Sequence, residues 1–280
     1  MAATRTTVGN VEVLALVDVT PPPFEPNQFF PEVPLEAWAP YRDRYLVDGK
    51  FQTNFSFFVL RSGGRVVLVD TGLGPGPHQR FGGITGQLMS GLKGVGVQPE
   101  DVSAVVITHL HGDHIGWNVT QEGGRPRPTF PRARYYVPRG DWEHFTRPEV
   151  LENTPPVKAN AVPLKDLGVL ELVEGDYAVT EEISTLATPG HTPGHLSVVV
   201  SSGGQRAMVV GDLFHSAVQV TEDAWCAGAD MDKPLARKTR REVLERLERE
   251  GFVVAAGHLV LGTSIGKVVR DKGRRSWQAL

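Results

Sequence analysis

The segment 108–114 places three histidines and one aspartate directly after a predicted strand, the apolar run 102–107. The four side chains are those of His109, His111, Asp113 and His114. A packed interior does not favour such a set, because buried polar groups without partners cost free energy. Neutral imidazole and carboxylate are the usual ligands of zinc and of its neighbours in the first transition row. The segment therefore predicts a metal site at the end of a buried strand, rather than a polar loop with accidental histidines.

Other side chains able to bind a cation also follow predicted strands at once. They are Asp70, His191, Asp212 and His258. His109 and His111 are two residues apart, so both point to the same side of an extended segment. Asp113 and His114 follow a glycine and can face a second centre, which would need further nitrogens and a shared carboxylate. The predicted strand pairs and helices form two similar halves with no low-complexity linker between them, so we expect a single domain over 1–280.

Local patterns predict several further elements. A strand is expected at 11–19, a hairpin at 55–70 and a short helix at 84–92. A longer helix should begin after Asp232, a residue type suited to capping, with Pro234 in its first turn and Gly251 at its end.

Composition excludes some classes of function. The chain has 280 residues and a formal net charge of -3, which provides no basic field for nucleic acid and no polybasic patch for a membrane. The apolar runs are strand-sized, well short of a membrane span. The start of the chain does not resemble a signal peptide, and the single cysteine, Cys226, suits a reducing compartment. These features favour the cytoplasm.

The segment 20–50 is rich in proline and aromatic residues, which excludes long regular structure. Long irregular segments inside compact domains are often functional. We expect a loop near the active site that acts as a flap or pocket wall. The alternative is an arm that covers a sheet edge or a partner subunit in a homodimer.

The set of motifs resembles the metallo-β-lactamase superfamily, whose members carry His-x-His-x-Asp-His, a downstream Gly-His, an Asp after a strand and a late Gly-His. The resemblance implies an α/β fold, a four-layer αββα sandwich of two mixed β-sheets with helices on the outer faces. It also implies two divalent metal ions, Zn²⁺ by default with Mn, Fe or Co possible. One ion would be held by His109, His111 and His191, and the other by Asp113, His114 and His258, with Asp212 bridging them.

A finer resemblance is to the branch of acyl-homoserine lactonases and methyl-parathion-type hydrolases. It rests on the segments 114–118, 128–135 and 211–215 and on the helix segment 236–240. Common dizinc β-lactamases have a cysteine where this chain has Asp212. The best-known lactonases have a tyrosine where this chain has His215.

The resemblance implies a metal-dependent hydrolase that uses a metal-bridging hydroxide, with a small-molecule lactone or ester as substrate. The alternatives are a phosphotriesterase or aryl esterase of the methyl-parathion-hydrolase type and a mononuclear iron dioxygenase of the persulfide type. Asp113 would carry the proton, and His215 would bond the oxyanion or protonate the leaving group. Asp70 and His195 would orient ligand imidazoles. The aromatic residues that can line a substrate pocket are Phe29, Phe30, Trp117, Trp142 and Phe214.

Overall fold

The computed structural model describes residues 3–260 and 262–280, and the bounds below refer to this part of the chain. The strands are β1 (Thr4–Val8), β2 (Val11–Val19), β3 (Leu46–Val47), β4 (Lys50–Phe51), β5 (Phe55–Ser62), β6 (Arg65–Val69), β7 (Val102–Val106), β8 (Val119–Glu122), β9 (Arg125–Pro128), β10 (Arg134–Pro138), β11 (Leu170–Val173), β12 (Ile183–Ala187), β13 (Leu196–Ser202), β14 (Gln205–Val209), β15 (Val253–Ala255), β16 (Ile265–Asp271) and β17 (Arg274–Ala279).

The α-helices are α1 (Pro26–Phe29), α2 (Arg42–Tyr45), α3 (Leu88–Gly94), α4 (Gly112–Ile115), α5 (Arg139–Phe145), α6 (Pro148–Leu151), α7 (Pro155–Asn160), α8 (Pro163–Asp166), α9 (Val218–Thr221) and α10 (Lys233–Glu250). Short 3₁₀ helices occur at Leu35–Tyr41, Gln79–Phe81, Pro99–Asp101 and Gly211–Leu213.

The larger strands form two mixed sheets. The first has the order β1-β2-β5-β6-β7-β10-β11, antiparallel from β1 to β6 and parallel from β6 to β11. The second has the order β12-β13-β14-β15-β16-β17, in which only the β14–β15 pair is parallel within the described residues. The expected α/β class with two mixed sheets is confirmed.

Alternation along the strands sorts side chains into the layers of the fold. In β2, Val13 and Ala15 belong to a core shared with Val198 and Val209 of the second sheet. The residues between them point the other way, since successive side chains of a strand face opposite sides; Leu14, for example, packs in a core with helix residues of α3. Sheet therefore packs on sheet, and helices cover the outer face of the first sheet.

Helix α10 covers the outer face of the second sheet through Val243, Leu244 and Leu247. Its N-terminus is capped as predicted, because the Asp232 carboxylate accepts a hydrogen bond from the Leu235 N–H at 2.9 Å. It ends at Gly251, which has a φ of 67° and therefore adopts a left-handed conformation at little cost. The four layers of the expected αββα sandwich are thus present.

Some elements differ from the sequence-based expectation. The helix expected over 84–92 begins only at Leu88, because the N–H groups of Gln87 and Leu88 donate to the buried carboxylate of Asp18, each at 2.7 Å. The edge strand β1 was not predicted, because its polar residues alternate with half-buried ones and resemble a polar terminus.

The segment 20–50 contains only short elements, as its prolines require. Its aromatic residues Phe30 and Trp38 pack with Phe51, Val218 and Ala227 into a small separate core. The segment is therefore anchored to the chain that follows β14. No helix in the described ranges combines the length and the apolar character needed to cross a lipid bilayer.

Candidate metal centre

All seven side chains predicted to bind metal meet at one edge of the two sheets. His109 and His111 lie in the loop after β7, and Asp113 and His114 lie in α4. His191 follows β12, Asp212 lies in the 3₁₀ turn after β14, and His258 follows β15. The convergence arises because these strands all end at the same edge, although His109 and His258 are 149 positions apart in the chain.

The atoms that face one another form two groups around the Asp212 carboxylate. In the first, ligand atoms of His109, His111, His191 and Asp212 all lie within 4.8 Å of one another, and in the second the same holds for Asp113, His114 and His258. Asp212 Oδ2 is 3.2 Å from His191 Nε2. Asp212 Oδ1 is 3.3 Å from His114 Nε2 and 3.0 Å from His258 Nε2. Asp212 therefore lies between the two groups, where a bridging carboxylate is expected.

In three of these imidazoles, the nitrogen that faces away from the centre, Nδ1, donates a hydrogen bond to a protein oxygen. His114 Nδ1 donates to Asp70 Oδ2 at 2.8 Å and His191 Nδ1 donates to Asp230 Oδ1 at 2.8 Å. His258 Nδ1 donates to the Asn54 carbonyl at 2.8 Å. Because the partners are carboxylates or a carbonyl, the Nδ1 proton is fixed, and a neutral ring presents the Nε2 lone pair to the centre.

The turn that presents Asp212 depends on Gly211. This residue has a φ of 55°, and a Cβ built on it would lie 2.6 Å from His195 Nε2. The same His195 nitrogen accepts a hydrogen bond from the Asp212 N–H at 2.9 Å. Only glycine permits both the left-handed backbone and this close approach.

Asp141 joins two of the loops that carry the centre. Its carboxylate accepts from the Leu110 N–H at 2.8 Å and from the Gly194 N–H at 2.7 Å. The first donor lies between His109 and His111, and the second follows His191 by three residues. Asp141 therefore fixes the spacing of two loops that are distant in the sequence.

Burial and charge shift the pKa values of the cluster in opposite directions. Burial lowers the pKa of His109 well below its usual value and that of His111 to about 3. Burial also opposes the charged form of His191, but the carboxylates of Asp212 and Asp230 outweigh it and raise its pKa to about 9. The carboxylates thus draw protons onto some of the imidazoles, and a bound cation would take the place of those protons.

The residues fit divalent cations. His109 Nε2, His114 Nε2 and Asp212 Oδ1 are buried and have no hydrogen-bond partner among the described residues. His111 Nδ1 and His191 Nε2 lie 3.0 Å apart, and because Asp230 holds the proton of His191 Nδ1, this contact is favourable when a further proton or a cation lies at His191 Nε2. Unpartnered buried acceptors are costly unless something positive lies among them. Imidazole and carboxylate donors without thiolates suit a catalytic rather than a closed structural site.

Comparison with known proteins agrees with this geometry. Residues 49–258 match the family model of the metallo-beta-lactamase superfamily. The chain belongs to this superfamily. The prediction of a metal-dependent hydrolase is thereby confirmed at the level of the superfamily, and so is the sandwich fold.

Individual relatives are consistent with that membership. The chain is 26% identical over 208 residues to an N-acyl homoserine lactonase of Bacillus sp., covering 69% of this chain and 76% of the relative. The lactonase AiiA of Bacillus thuringiensis subsp. kurstaki is 25% identical with the same coverage. Among solved structures, the hydrolase AbOPH superposes with a TM-score of 0.85 at 25% identity, covering 99% of this chain and 97% of that one. The dizinc quorum-quenching lactonase AidC has a TM-score of 0.82 at 21% identity, with the same two coverages.

Asp70 and His195 both lie beside the centre of this superfamily member, but they contact different groups. Asp70 bonds the His114 imidazole and also accepts from the Thr108 N–H at 2.7 Å. His195 instead accepts from the backbone of Asp212 and bonds Thr188 through Nδ1. The expectation that His195 orients a ligand imidazole is therefore corrected: its hydrogen bond is to the backbone of the turn that carries Asp212.

His215 lies at the edge of the centre. Its Nε2 is 3.1 Å from Asp212 Oδ2, and its Nδ1 is buried with no partner among the described residues. Its ring stacks on that of His258 with centroids 5.0 Å apart, and Phe29 packs edge-on against it at 5.4 Å. Burial lowers the pKa of His215, which favours the neutral ring.

A cavity of about 790 Å³ opens above the centre. The predicted site residues that line it are His111, Asp113, Asp212, His215, His258 and Phe29. Of the five aromatic residues expected in the substrate pocket, Phe29 is therefore the one placed there among the described residues.

The other four aromatic residues lie in packed regions, which corrects the expectation for them. Phe30 is fully buried in the core of the segment 20–50, and Phe214 is fully buried on the α10 side of the second sheet. Trp117 donates to Asp18 at 3.1 Å, and Trp142 packs against the outer core of the first sheet. Apolar burial places such side chains in cores by default, and the sequence does not distinguish a core from a pocket wall.

Sequence reasoning missed three residues that support the centre: Asp230 bonds His191, Arg240 bonds Asp230, and Asp141 bonds the backbone of two of its loops. Asp141 lies in helix α5, and an acid on the buried side of that helix is the signal that would have found it. Asp230 precedes α10 in an irregular stretch without a local pattern, so its contact with His191 depends on the tertiary fold alone.

Proposed function

We propose that the chain is a hydrolase of lactones or related esters that acts with two divalent cations. The observation that carries this proposal is the pair of ligand groups joined by Asp212 at the floor of an open cavity. The relatives named N-acyl homoserine lactonases support lactones as the first substrates to test.

His109, His111 and His191 would hold one cation, Asp113, His114 and His258 the other, and Asp212 would be shared. Zinc is the first candidate, and manganese, iron and cobalt have compatible ligand preferences. When bound, two such ions supply Lewis acidity and make hydroxide available near neutral pH.

Asp113 is the proposed proton carrier. Its side chain is 21% exposed, whereas that of Asp212 is 4% exposed, so Asp113 is the carboxylate that a substrate can reach. Its Oδ2 lies 3.5 Å from His114 Nε2 and 3.7 Å from His258 Nε2. A carboxylate in that position can accept a proton as the nucleophile attacks and return it to the leaving alkoxide.

His215 is proposed to contact the substrate through Nδ1. Because the neutral ring donates from Nε2 to the Asp212 carboxylate, Nδ1 is the nitrogen left for a substrate group. The carboxylate at Nε2 stabilises a positive ring, so Nδ1 is the alternative to Asp113 as the group that takes up the proton of the nucleophile and passes it to the leaving oxygen.

Two cavities meet at His215 and His258. The larger one contains the catalytic side chains and the aromatic residues Phe24 and Phe55. A second cavity of about 260 Å³ lies on the other side of these histidines, with Tyr45 and Trp277 in its wall. A substrate with a hydrolysable head and an apolar tail suits this arrangement.

The test is one preparation examined for metal content and for substrate preference. Elemental analysis should give two divalent ions per chain, and kcat/KM should be highest for an N-acyl homoserine lactone, compared with a phenyl ester and a phosphotriester. Chelation should abolish the activity, and added metal should restore it. One iron per chain with oxygen-dependent turnover of a persulfide would contradict the proposal, and a preference for the phosphotriester would replace the lactone as substrate. Analytical ultracentrifugation of the same sample tests the alternative in which the segment 20–50 covers a partner subunit of a homodimer.

A further inference from the structure

Arg240 is a fully buried cation on α10, the helix that covers the second sheet. We propose that Arg240 is a positioning residue for the metal centre. Its single guanidinium group holds both His191 and Asp212 in place from the side of α10. The proposal rests on the proposed function to the extent that the centre binds cations.

The guanidinium makes four hydrogen bonds to oxygen atoms. Nε donates to the Leu213 carbonyl at 2.7 Å, and Nη1 donates to the carbonyls of Asp223 and Trp225 at 2.9 and 2.8 Å. Nη2 donates to Asp230 Oδ2 at 3.1 Å. The acceptors lie on the chain between β14 and α10, which includes the turn of Asp212, so the group connects loops rather than stabilising its own helix.

One path leads from Arg240 to His191. Asp230 is fully buried in its side chain, and it uses one oxygen for Arg240 and the other for His191 Nδ1 at 2.8 Å. The bond to Arg240 fixes the carboxylate, and the carboxylate fixes the tautomer and the orientation of the imidazole. Partners of this kind are nearly as important to a metal site as the ligands.

A second path leads to Asp212. Leu213, whose carbonyl accepts from Arg240, is the residue after Asp212 in the same 3₁₀ turn. The other side of that turn is held by His195, which accepts from the Asp212 N–H. The shared carboxylate is thus held between an imidazole on one side and the guanidinium on the other.

A third path reaches His215. The Trp225 carbonyl that accepts from Arg240 also accepts from Gln219 Nε2 at 2.9 Å, and Gln219 Oε1 accepts from the His215 N–H at 2.7 Å. A lysine could not replace the guanidinium, because its three N–H donors share one nitrogen atom and cannot reach all the oxygen acceptors that surround the planar guanidinium.

A purely structural ion pair is the competing explanation. Buried ion pairs add little net stability compared with apolar residues of similar volume, because desolvation opposes their attraction. The Arg240–Asp230 pair instead fixes the positions of two predicted ligands, His191 and Asp212, relative to each other. The two explanations differ in one measurable quantity, the affinity of the folded protein for metal.

The experiment compares Arg240→Met, Arg240→Lys and the double variant Arg240→Met/Asp230→Asn with the wild type. The control is Arg241→Met, because Arg241 is the next residue on α10 but makes an exposed pair with Asp223. Each purified protein is stripped of metal and titrated with Zn²⁺ against a chromogenic chelator. Its Co²⁺ form is then examined by visible absorption, and thermal unfolding shows whether each variant folds.

We expect Arg240→Met to bind at least one cation about 10- to 100-fold more weakly, the range typical for loss of a partner that orients a ligand. Arg240→Lys should be intermediate, and Arg241→Met should equal the wild type. If the unpaired Asp230 prevents Arg240→Met from folding, Arg240→Lys decides the outcome, because it keeps a positive charge beside Asp230 but loses the other hydrogen bonds. The double variant, which also removes the carboxylate bonded to His191, should bind at least as weakly and show an altered Co²⁺ spectrum.

Wild-type affinity and an unchanged Co²⁺ spectrum in a folded Arg240 variant would overturn the proposal, even if its melting temperature had fallen. These readouts need no substrate. A wild type that binds two ions but hydrolyses no lactone or ester would contradict the proposed function and leave this test intact.

Discussion

The two flanks of the centre are constructed differently. The first flank consists of His109, His111, Asp113 and His114, all within one loop and one short helix. The second flank consists of His191, Asp212 and His258, each at the end of a different strand. In the first, the supporting carboxylate of Asp70 is bonded by a strand-end N–H and by a hydroxyl of Thr108. In the second, the supporting carboxylate of Asp230 is bonded by a guanidinium from an outer helix.

The difference teaches how much of the fold each flank requires. The first flank needs a strand, a turn and local backbone donors. The second needs three strand ends in register and a helix packed correctly outside the sheet. We therefore expect metal binding at the second flank to be sensitive to substitutions far from its ligands. Metal binding at the first flank should be sensitive only to substitutions close to its ligands.

Removal of the Asp212 carboxylate should have the largest effect, because it faces imidazoles of both flanks. Asp212→Ala should lower metal content towards one ion per chain and reduce kcat/KM by more than the ~100-fold typical for loss of an outer partner. Elemental analysis and steady-state kinetics measure both, with the exposed Asp166→Ala as control. A variant that keeps two ions and full activity would show that the flanks do not share this carboxylate.

His215→Ala tests whether the histidine beside the second flank contacts the substrate. Loss of a proton carrier at Nδ1 should lower kcat by about 100-fold, the lower end of the range for general acid–base groups, while two ions remain bound. His144→Ala, a half-buried histidine on α5, is the matched control. An unchanged rate would leave His215 as part of the pocket wall.

Asp70→Asn tests the support of the first flank. The amide NH₂ of the asparagine and the Nδ1–H of His114 are both hydrogen-bond donors, so they repel when they face each other. The ring can avoid this only by moving its proton to Nε2, which blocks the atom that faces the centre. Metal affinity should fall by about 10-fold or more, measured by chelator competition. Asp101→Asn, an exposed aspartate that accepts from the Gln98 N–H, should have no effect. An equal affinity in Asp70→Asn would mean that the first flank needs no charged support.

Phe29→Ala should have the smallest effect, since Phe29 belongs to neither flank. It packs edge-on against His215 and lines the larger cavity, so its removal should raise KM for substrates with apolar tails by about 10-fold, equivalent to ~1.4 kcal/mol of lost apolar contact. The value of kcat should change little. Leu35→Ala, an exposed residue of the same segment, is the control. A large fall in kcat would instead place Phe29 among the residues that position His215.

Much of the fold and of the centre could be predicted because both have local signals. Alternating apolar residues indicated β2, and the hairpin β5–β6 was marked by its Gly-Gly turn. His191, Asp212 and His258 were found because each follows a strand pattern. Strands that end at the same edge bring such residues together whatever their separation in sequence.

The remaining features depend on tertiary contacts and have no local signal. His191 and His195 both follow a glycine, and the sequence does not reveal which imidazole turns to the centre and which to the backbone of Asp212. The role of Arg240 was equally hidden, because an arginine on an amphipathic helix is usually exposed. Trp142 and Phe214 were misplaced since core and pocket wall share the same composition.

The carboxylate of Asp141 has a consequence for how the protein should fail on heating. By accepting from the backbones of both Leu110 and Gly194, it joins one loop of each flank, so either loop that leaves takes away half of the hydrogen bonding of the carboxylate that also holds the other loop. Calorimetry should accordingly record a single cooperative endotherm, in which the ions are released together with the unfolding of the sheets and not in an earlier step.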